Sequence, residues 1–270
     1  MFFVILILIL LFLAALYVTL VMPRPAARPD MAPLMCDYAH RGLFDNKTTP
    51  ENSMGAFRRA MEKGVGIELD LRVTKDGYVI VFHDETLERM CGKKAAVSEL
   101  SWSEIKNERL LGTGYGIPLF RDVLKLVDGS VPLLIELKGE NGEDSLCWKT
   151  APLLDAYTGE YGIQSFNPLL LKWFKDHRPD MPRGQLVTNF LKTERKGSRV
   201  GHFVLSHLLL NFLSRPDFIS CDGRYQKEPA LWICQKIFRV PFFMWTVRKK
   251  ELLEYNHRQG RHSIFEGFDP

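Results

Sequence analysis

The chain has 270 residues, 46% hydrophobic and 25% charged, with a formal net charge of +4. This is ordinary globular composition with a membrane segment added, and the absence of a long Lys/Arg run argues against a nucleic-acid partner. Its five cysteines (Cys36, Cys91, Cys147, Cys221, Cys234) are an odd number without CxxC spacing, which argues against a disulfide framework or a zinc site.

Residues 1–22 carry no charged side chain and consist almost entirely of Leu, Ile, Val, Phe and Ala. At 1.5 Å per residue, roughly 20 such residues cross the hydrocarbon core of a bilayer. A secretory signal would have a basic start and a shorter apolar core. No Lys or Arg precedes Arg24 here, so a retained, single-pass transmembrane anchor is expected. Arg24 and Arg28 flank only its C-terminal end, and the positive-inside tendency then places the rest of the chain in the cytoplasm. Pro23–Asp30 reads as a stiff, extended linker, continuing to residue 33. One globular domain is expected from residue 34 to 270.

Beyond the linker, strand-like runs alternate with helical ones. Strands are predicted at 35–39, 66–71, 78–83, 132–137, 161–166, 184–188, 217–221, 241–246 and 263–266. Helices are predicted at 53–63, 120–127, 168–177, 228–238 and 249–259. This alternation predicts an α/β fold with a mostly parallel sheet, a TIM (β/α)8 barrel with one strand too many. Asp76-Gly77 accounts for the surplus. The pair is a strong hairpin signal, and the gap between 71 and 78 is too short for a parallel crossover. The strand at 78–83 should therefore run back beside 66–71. A small insertion is predicted at about 86–118. Residues 190–215 break the rhythm, and 203–213 are apolar nearly all round. A buried helix is expected there, with a lid or interfacial helix dipping into lipid as the alternative.

The chemistry-bearing residues fall at strand positions. In Ile67-Glu68-Leu69-Asp70-Leu71 two carboxylates alternate with aliphatic residues, so both acids share one face of a strand. Two buried like charges raise each other's pKa unless a cation neutralises them. Glu136 and Lys138 share one face of a later apolar strand, and the two could instead simply neutralise each other. His40 and His83 each end a strand-like run, and the predicted hairpin brings His83 close to Glu68 and Asp70.

The ordered set His40-Arg-Gly42, Pro50-Glu-Asn-Ser53, Glu68-Leu-Asp70, Thr74-Lys-Asp-Gly77, His83-Asp84, Glu136-Leu-Lys138, Gln164-Ser-Phe166 and Trp245-Thr-Val247 resembles the glycerophosphodiester phosphodiesterases from about residue 35 onward. The resemblance implies a TIM barrel that hydrolyses glycerophosphodiesters to glycerol 3-phosphate and an alcohol with a divalent cation. By position, it implies His40 and His83 as the catalytic pair and Glu68, Asp70 and Glu136 as metal ligands. It implies Arg41 and Lys138 as phosphate-binding residues, with Glu51 behind Arg41. The chain departs from the family pattern at its end, which reads Ile264-Phe-Glu-Gly-Phe-Asp-Pro270.

Elementary chemistry agrees with that implication. A phosphodiester is an anion that repels an attacking oxyanion, and a hard cation held by carboxylates offsets the charge. An all-oxygen donor set favours Mg²⁺ or Ca²⁺ over zinc. Two imidazoles can exchange the protons of attack and departure. An anchored enzyme would meet glycerophosphodiesters or lysophospholipids as substrates. The competing readings are a phospholipase-C-like barrel and a non-catalytic lipid-head-group binding protein.

Overall fold

The computed structural model describes residues 1–25, 29–139, 144–193 and 197–270. Among the described residues nine strands form one sheet: β1 (Tyr38–Ala39), β2 (Gly66–Val73), β3 (Val79–Val81), β4 (Leu133–Leu137), β5 (Tyr161–Ser165), β6 (Arg183–Val187), β7 (Phe218–Asp222), β8 (Phe242–Val247) and β9 (His262–Phe265). Eight of them are parallel and close into a barrel, because β1 pairs with both β2 and β9. The ninth, β3, runs antiparallel to β2, with Leu71 opposite Val81 and Val73 opposite Val79. The Asp76-Gly77 turn produces this hairpin. Gly77 adopts a φ of +85°, a left-handed conformation that a residue with a Cβ reaches only with strain, and its N–H donates to the Thr74 carbonyl at 2.9 Å.

Outside the barrel, the aliphatic residues of β2 and β4 (Ile67, Leu69, Leu71, Leu133, Ile135, Leu137) join one core with the surrounding helices. Inside, the lower end is plugged by Tyr38, Leu134, Phe218, Phe243 and Ile264, with Met31 and Leu34 beneath them. Gly184 is required by this packing, since a Cβ there would sit 1.9 Å from the Phe218 ring. The plug leaves the upper, C-terminal ends of the strands for polar side chains. Residues 86–118 lie above the β2–β3 hairpin around a small core of their own, which includes Phe82, Leu87, Met90, Leu100 and Leu110.

The helices at 54–62, 120–127, 168–177 and 250–258 form where periodicity placed them. A further one, Ser145–Asp155, carries Pro152 inside it and lies where the periodicity predicts no helix. The predicted helix at 228–238 is an α-turn, Pro229–Trp232, followed by a π-helical segment, Ile233–Ile237. The expected continuous helix through 203–213 is broken: Arg199–Ser206 ends at His207, Leu208 takes a φ of +56°, and Asn211–Ser214 follows as a single turn. Only part of this stretch is buried, so its apolar side chains divide between the barrel and the outside. The N-terminal helix is Phe2–Val21, and residues 2–16 of it are exposed.

Candidate active site

The site is built at the upper ends of β1, β2, β4 and β5. Asp70 and Glu136 are register partners on neighbouring strands, and Glu136 is in turn opposite Gln164. Glu68 sits two residues before Asp70, hence on the same, inward face. Carboxylate oxygens of Glu68, Asp70 and Glu136 accordingly lie within 4.8 Å of one another, and all three residues are buried.

Two cations flank this cluster. Lys138 Nζ is 2.6 Å from Glu136 and 3.0 Å from Asp70. Arg41 lies 2.7 Å from Glu51 and 3.4 Å from Asp70. Arg41 is placed by the turn after β1, where its φ is +55° and that of Gly42 is +79°. A Cβ on Gly42 would meet Ala56 at 2.8 Å, so only glycine lets this turn rest on the next helix. The Ser53 side chain caps that helix by accepting from the Ala56 N–H at 3.2 Å, which fixes the preceding Pro-Glu-Asn loop. Within the loop, Asn52 Nδ2 donates to Asp70 at 2.9 Å.

The electrostatics of the three acids differ. Burial raises the Asp70 carboxyl, but Lys138, His83 and Arg41 beside it hold it well below the usual carboxylate range. Glu68 goes the other way: burial, then the neighbouring Asp70 and Glu136 charges, push it well above that range. Among the described residues, Glu68 has no side-chain ion pair. It accepts from the Arg41 backbone N–H at 3.0 Å and from Gln164 Nε2 at 3.5 Å. Three buried oxygen donors around one point, one of them poorly compensated, fit a hard divalent cation.

Both predicted histidines face the same cleft, a hollow of about 160 Å³ also lined by Glu68, Glu136, Lys138 and Gln164. Each imidazole is held through Nδ1 by an acid: His83 by Asp84 at 2.6 Å and His40 by Glu266 at 2.5 Å. Burial pushes His40 below the ordinary histidine range, against the opposing pull of Glu266. Burial raises Glu266, but the His40 hydrogen bond and charge outweigh it, so its carboxyl is held low. Asp84 also binds Arg89 at 2.6 Å, and Arg89 binds Glu51 at 2.6 Å. An unbroken chain of charges thus runs from His83 through Asp84, Arg89, Glu51 and Arg41 to Asp70. Burial raises Glu51, but Arg89 and Arg41 bring it down to about 2.

All eight residues singled out from the sequence (His40, Arg41, Glu51, Glu68, Asp70, His83, Glu136 and Lys138) meet in this one region. Sequence reasoning gives no role to Glu266, Arg248 or Gln164, although Gln164 stands in one of the ordered motifs. Glu266 lies in the segment that departs from the family pattern; Arg248 binds it at 2.7 Å and lines the cleft. A carboxylate just past the last strand was the one local signal available for Glu266. Phe166 and Trp245 form the cleft's aromatic wall, their rings edge to face with centroids 5.6 Å apart.

Comparison with known proteins agrees with this geometry. The family model for the glycerophosphoryl diester phosphodiesterase family matches residues 40–266. A glycerophosphodiester phosphodiesterase of Caldanaerobacter subterraneus subsp. tengcongensis is 31% identical over 241 residues, covering 84% of this chain and 91% of that protein. A lysophospholipase D of Homo sapiens is 30% identical over 136 residues, 46% of this chain and 42% of the human one. Among solved structures, an Oleispira antarctica phosphodiesterase in complex with its product sn-glycerol-3-phosphate superposes with a TM-score of 0.67. It is 19% identical, with 86% of this chain and 92% of that one covered. The glycerophosphodiester phosphodiesterase of Thermotoga maritima gives 0.64 at 24% identity, covering 85% and 94%. The chain is an α/β TIM-barrel hydrolase and belongs to the glycerophosphoryl diester phosphodiesterase family.

Proposed function

We propose that this protein is a membrane-anchored, metal-dependent glycerophosphodiester phosphodiesterase that works by paired histidine catalysis. The single observation that carries the reading is the convergence of Glu68, Asp70 and Glu136 beside His40 and His83 in one cleft. Glu68, Asp70 and Glu136 would hold Mg²⁺ or Ca²⁺. When bound, the cation supplies positive charge that offsets the phosphodiester's own charge and that of the attacking oxygen.

The chain's own residues divide the remaining work. Arg41 and Lys138 bind the phosphate oxygens, Arg41 with two N–H groups and Lys138 as a point charge. Glu51 holds the Arg41 guanidinium in place. Glu266 accepts a hydrogen bond from the Nδ1–H of His40, which fixes the tautomer whose Nε2 is unprotonated and free to act as a base. In the first step His40 removes the proton from the glycerol 2-hydroxyl as that oxygen bonds to phosphorus. The bond from phosphorus to the departing alcohol breaks, and His83 donates the proton that the alcohol needs. In the second step the histidines exchange roles while water opens the cyclic phosphate to glycerol 3-phosphate. Each proton transfer contributes roughly 10²–10⁴-fold.

Within the helix Phe2–Val21 an 18-residue stretch has a mean hydropathy of 3.2, and residues 2–16 are exposed. Such a surface is stable in lipid rather than in water, which supports a single-pass anchor on residues 1–22, with 23–33 as the linker to the domain at 34–270. The cytoplasmic placement of that domain rests on Arg24 and Arg28. Arg28 lies outside the described residues, and Arg24 is engaged in an ion pair with Asp217 at 2.9 Å. The anchor favours a second substrate class, lysophospholipids, whose acyl chain keeps them in the bilayer.

The test is an assay of a glycerophosphodiester panel with EDTA, then with Mg²⁺ or Ca²⁺ restored. Glycerol 3-phosphate release should stop with the chelator and return with the ion. Release undiminished by EDTA would remove the metal from the proposal.

A further inference from the structure

The N-terminal helix is not simply tethered to the barrel; its last turns are built into it. The Val21 carbonyl accepts from Asn211 Nδ2 at 3.0 Å, and Val21 is fully buried. The Met22 carbonyl accepts from Arg215 Nη1 at 3.1 Å. Arg24 then reaches the bottom of the barrel: its N–H donates to the Pro216 carbonyl at 3.1 Å and its guanidinium pairs with buried Asp217, just before β7 begins. A removable leader has no need of such contacts.

These partners also give the helix a direction. Arg215 to Asp217 lie at the N-terminal end of β7, the end opposite the active site. Asn211 is one turn higher. Going toward the N-terminus, the Cys234 thiol donates to the Val21 carbonyl at 3.6 Å, and the helix packs on Asn211–Ser214 and on Ile233–Ile237, the segment that follows Glu228, with Tyr17 against the core. Glu228 belongs to the loop after β7, on the active-site side, where it accepts from Asn189 at 3.3 Å. From Arg24 to Tyr17 the chain therefore climbs from the bottom of the barrel to its mouth. Residues 2–16 continue the same axis and project beyond the mouth by about 23 Å.

A hydrocarbon core is about 30 Å thick, so this projection falls about 7 Å short of crossing it unless the rim itself settles into the lipid boundary. The rim is made for that. On the segments that follow β5, β6 and β7, Leu169 (49% exposed), Leu191 (45%), Val200 (74%), Phe203 (47%) and Trp232 (57%) turn large apolar surfaces outward. Exposed Lys192, Arg199 and Lys227 lie among them, placed to meet anionic headgroups. Edge-to-face ring contacts link Trp245 and Phe166 of the cleft to Phe190, and Phe190 stacks on His202 of the rim helix.

We infer that the mouth of the barrel faces the bilayer, with Leu169, Leu191, Val200, Phe203 and Trp232 seated in its interface, and that the site takes phosphodiesters still held in the membrane by an acyl chain. This rests on the anchored-hydrolase reading above. It deepens that reading by fixing which face meets lipid, and so how the lysophospholipids named there reach the site.

The test uses the full-length chain in phosphatidylcholine–phosphatidylglycerol vesicles. Bimane is attached at Phe203→Cys or Val200→Cys, and at Gln259→Cys at the far end of the barrel, with Cys36 and Cys91 replaced by serine. Lipids carrying a headgroup nitroxide should quench the rim labels strongly and the Gln259→Cys label little. Equal quenching, or the reverse order, overturns the inference, as does an intact mass lacking the N-terminal segment. In a second arm, Val200→Asp/Phe203→Asp should lower turnover of lysophosphatidylcholine in the vesicles by roughly ten-fold or more while leaving that of soluble glycerophosphocholine unchanged. A parallel loss on both substrates counts against the rim. A wild type inactive on both retires the hydrolase reading, and the quenching still decides the orientation.

Discussion

His40 Nδ1 and Glu266 Oε2 stand 2.5 Å apart although 226 positions separate them in the chain. The closure of the barrel between β1 and β9 creates this pair, and it brings the end of the last strand to the proposed catalytic base. A carboxylate on Nδ1 selects the tautomer whose Nε2 is free to accept a proton and steadies the imidazolium that results. Glu266→Gln should therefore lower kcat by about 10²-fold or more with a smaller change in KM. The Glu266 charge also raises the His40 pKa. Its removal lets that pKa fall, so the acid limb of the kcat/KM profile should move to lower pH. A limb that stays in place, or moves up, would assign the base to another residue.

The second histidine gives a separate prediction. His83→Ala removes the proposed acid and should cost roughly 10²–10⁴-fold in turnover of substrates with a poor leaving alcohol. A phosphodiester with a nitrophenol leaving group needs little protonation and should lose far less. Equal losses on both would make His83 a binding residue. Thermal unfolding should be nearly unchanged, since His83 is partly exposed and its side chain bonds only Asp84 among the described residues.

Glu68 is pushed up by burial and by its acidic neighbours, so its ionised form opposes folding when no cation is bound. The sign follows from linkage: a carboxyl with a raised pKa in the folded state removes stability as pH rises above the unfolded value. Metal-free Glu68→Gln should therefore melt higher than metal-free wild type at neutral pH. With the ion at about 100 times its Kd, the wild type should gain about 2.7 kcal/mol and the variant much less. Calorimetric melts with EDTA, Mg²⁺ and Ca²⁺ measure both effects. A variant that melts lower without metal would mean that Glu68 is a net stabiliser as it stands.

Glu51 behaves in the opposite sense. Its carboxyl falls from 4.5 to about 2 between Arg89 and Arg41 despite burial, so its contribution is complete above the unfolded value and is lost as pH drops toward 2. That shift corresponds to about 3 kcal/mol at neutral pH. Glu51→Gln should show a deficit of that order at neutral pH which shrinks steadily below pH 4.5. Denaturant midpoints across that range test it, and a deficit independent of pH would reduce Glu51 to a packing role.

Much of this protein could be read locally. Alternation of Ile67, Leu69 and Leu71 with Glu68 and Asp70 identified a strand whose two faces differ, and the structure turns the aliphatic face to the helices and the acids to the lumen. The Asp76-Gly77 pair predicted the antiparallel ninth strand. The ordered motifs from His40 to Trp245 identified the barrel. Local patterns failed where the backbone answers to its neighbours. Apolar residues through 203–213 suggested one helix, yet the chain must turn at His207–Leu208 to deliver Asn211 to Val21 and Arg215 to Met22. Pro152 likewise obscured the helix at 145–155, whose position is set by packing on the barrel.

The sequence by itself determined the order of strands and helices, the face on which the acids lie and the apolar N-terminal span, because periodicity and turn chemistry act over a few residues. Tertiary structure alone decided that Glu266 holds His40, that Arg89 links Asp84 to Glu51, and that the end of the N-terminal helix docks on Asn211 and Arg215. Those relationships depend on strand register and on where the barrel closes. Both are set by packing between segments far apart in the chain, which no local pattern encodes.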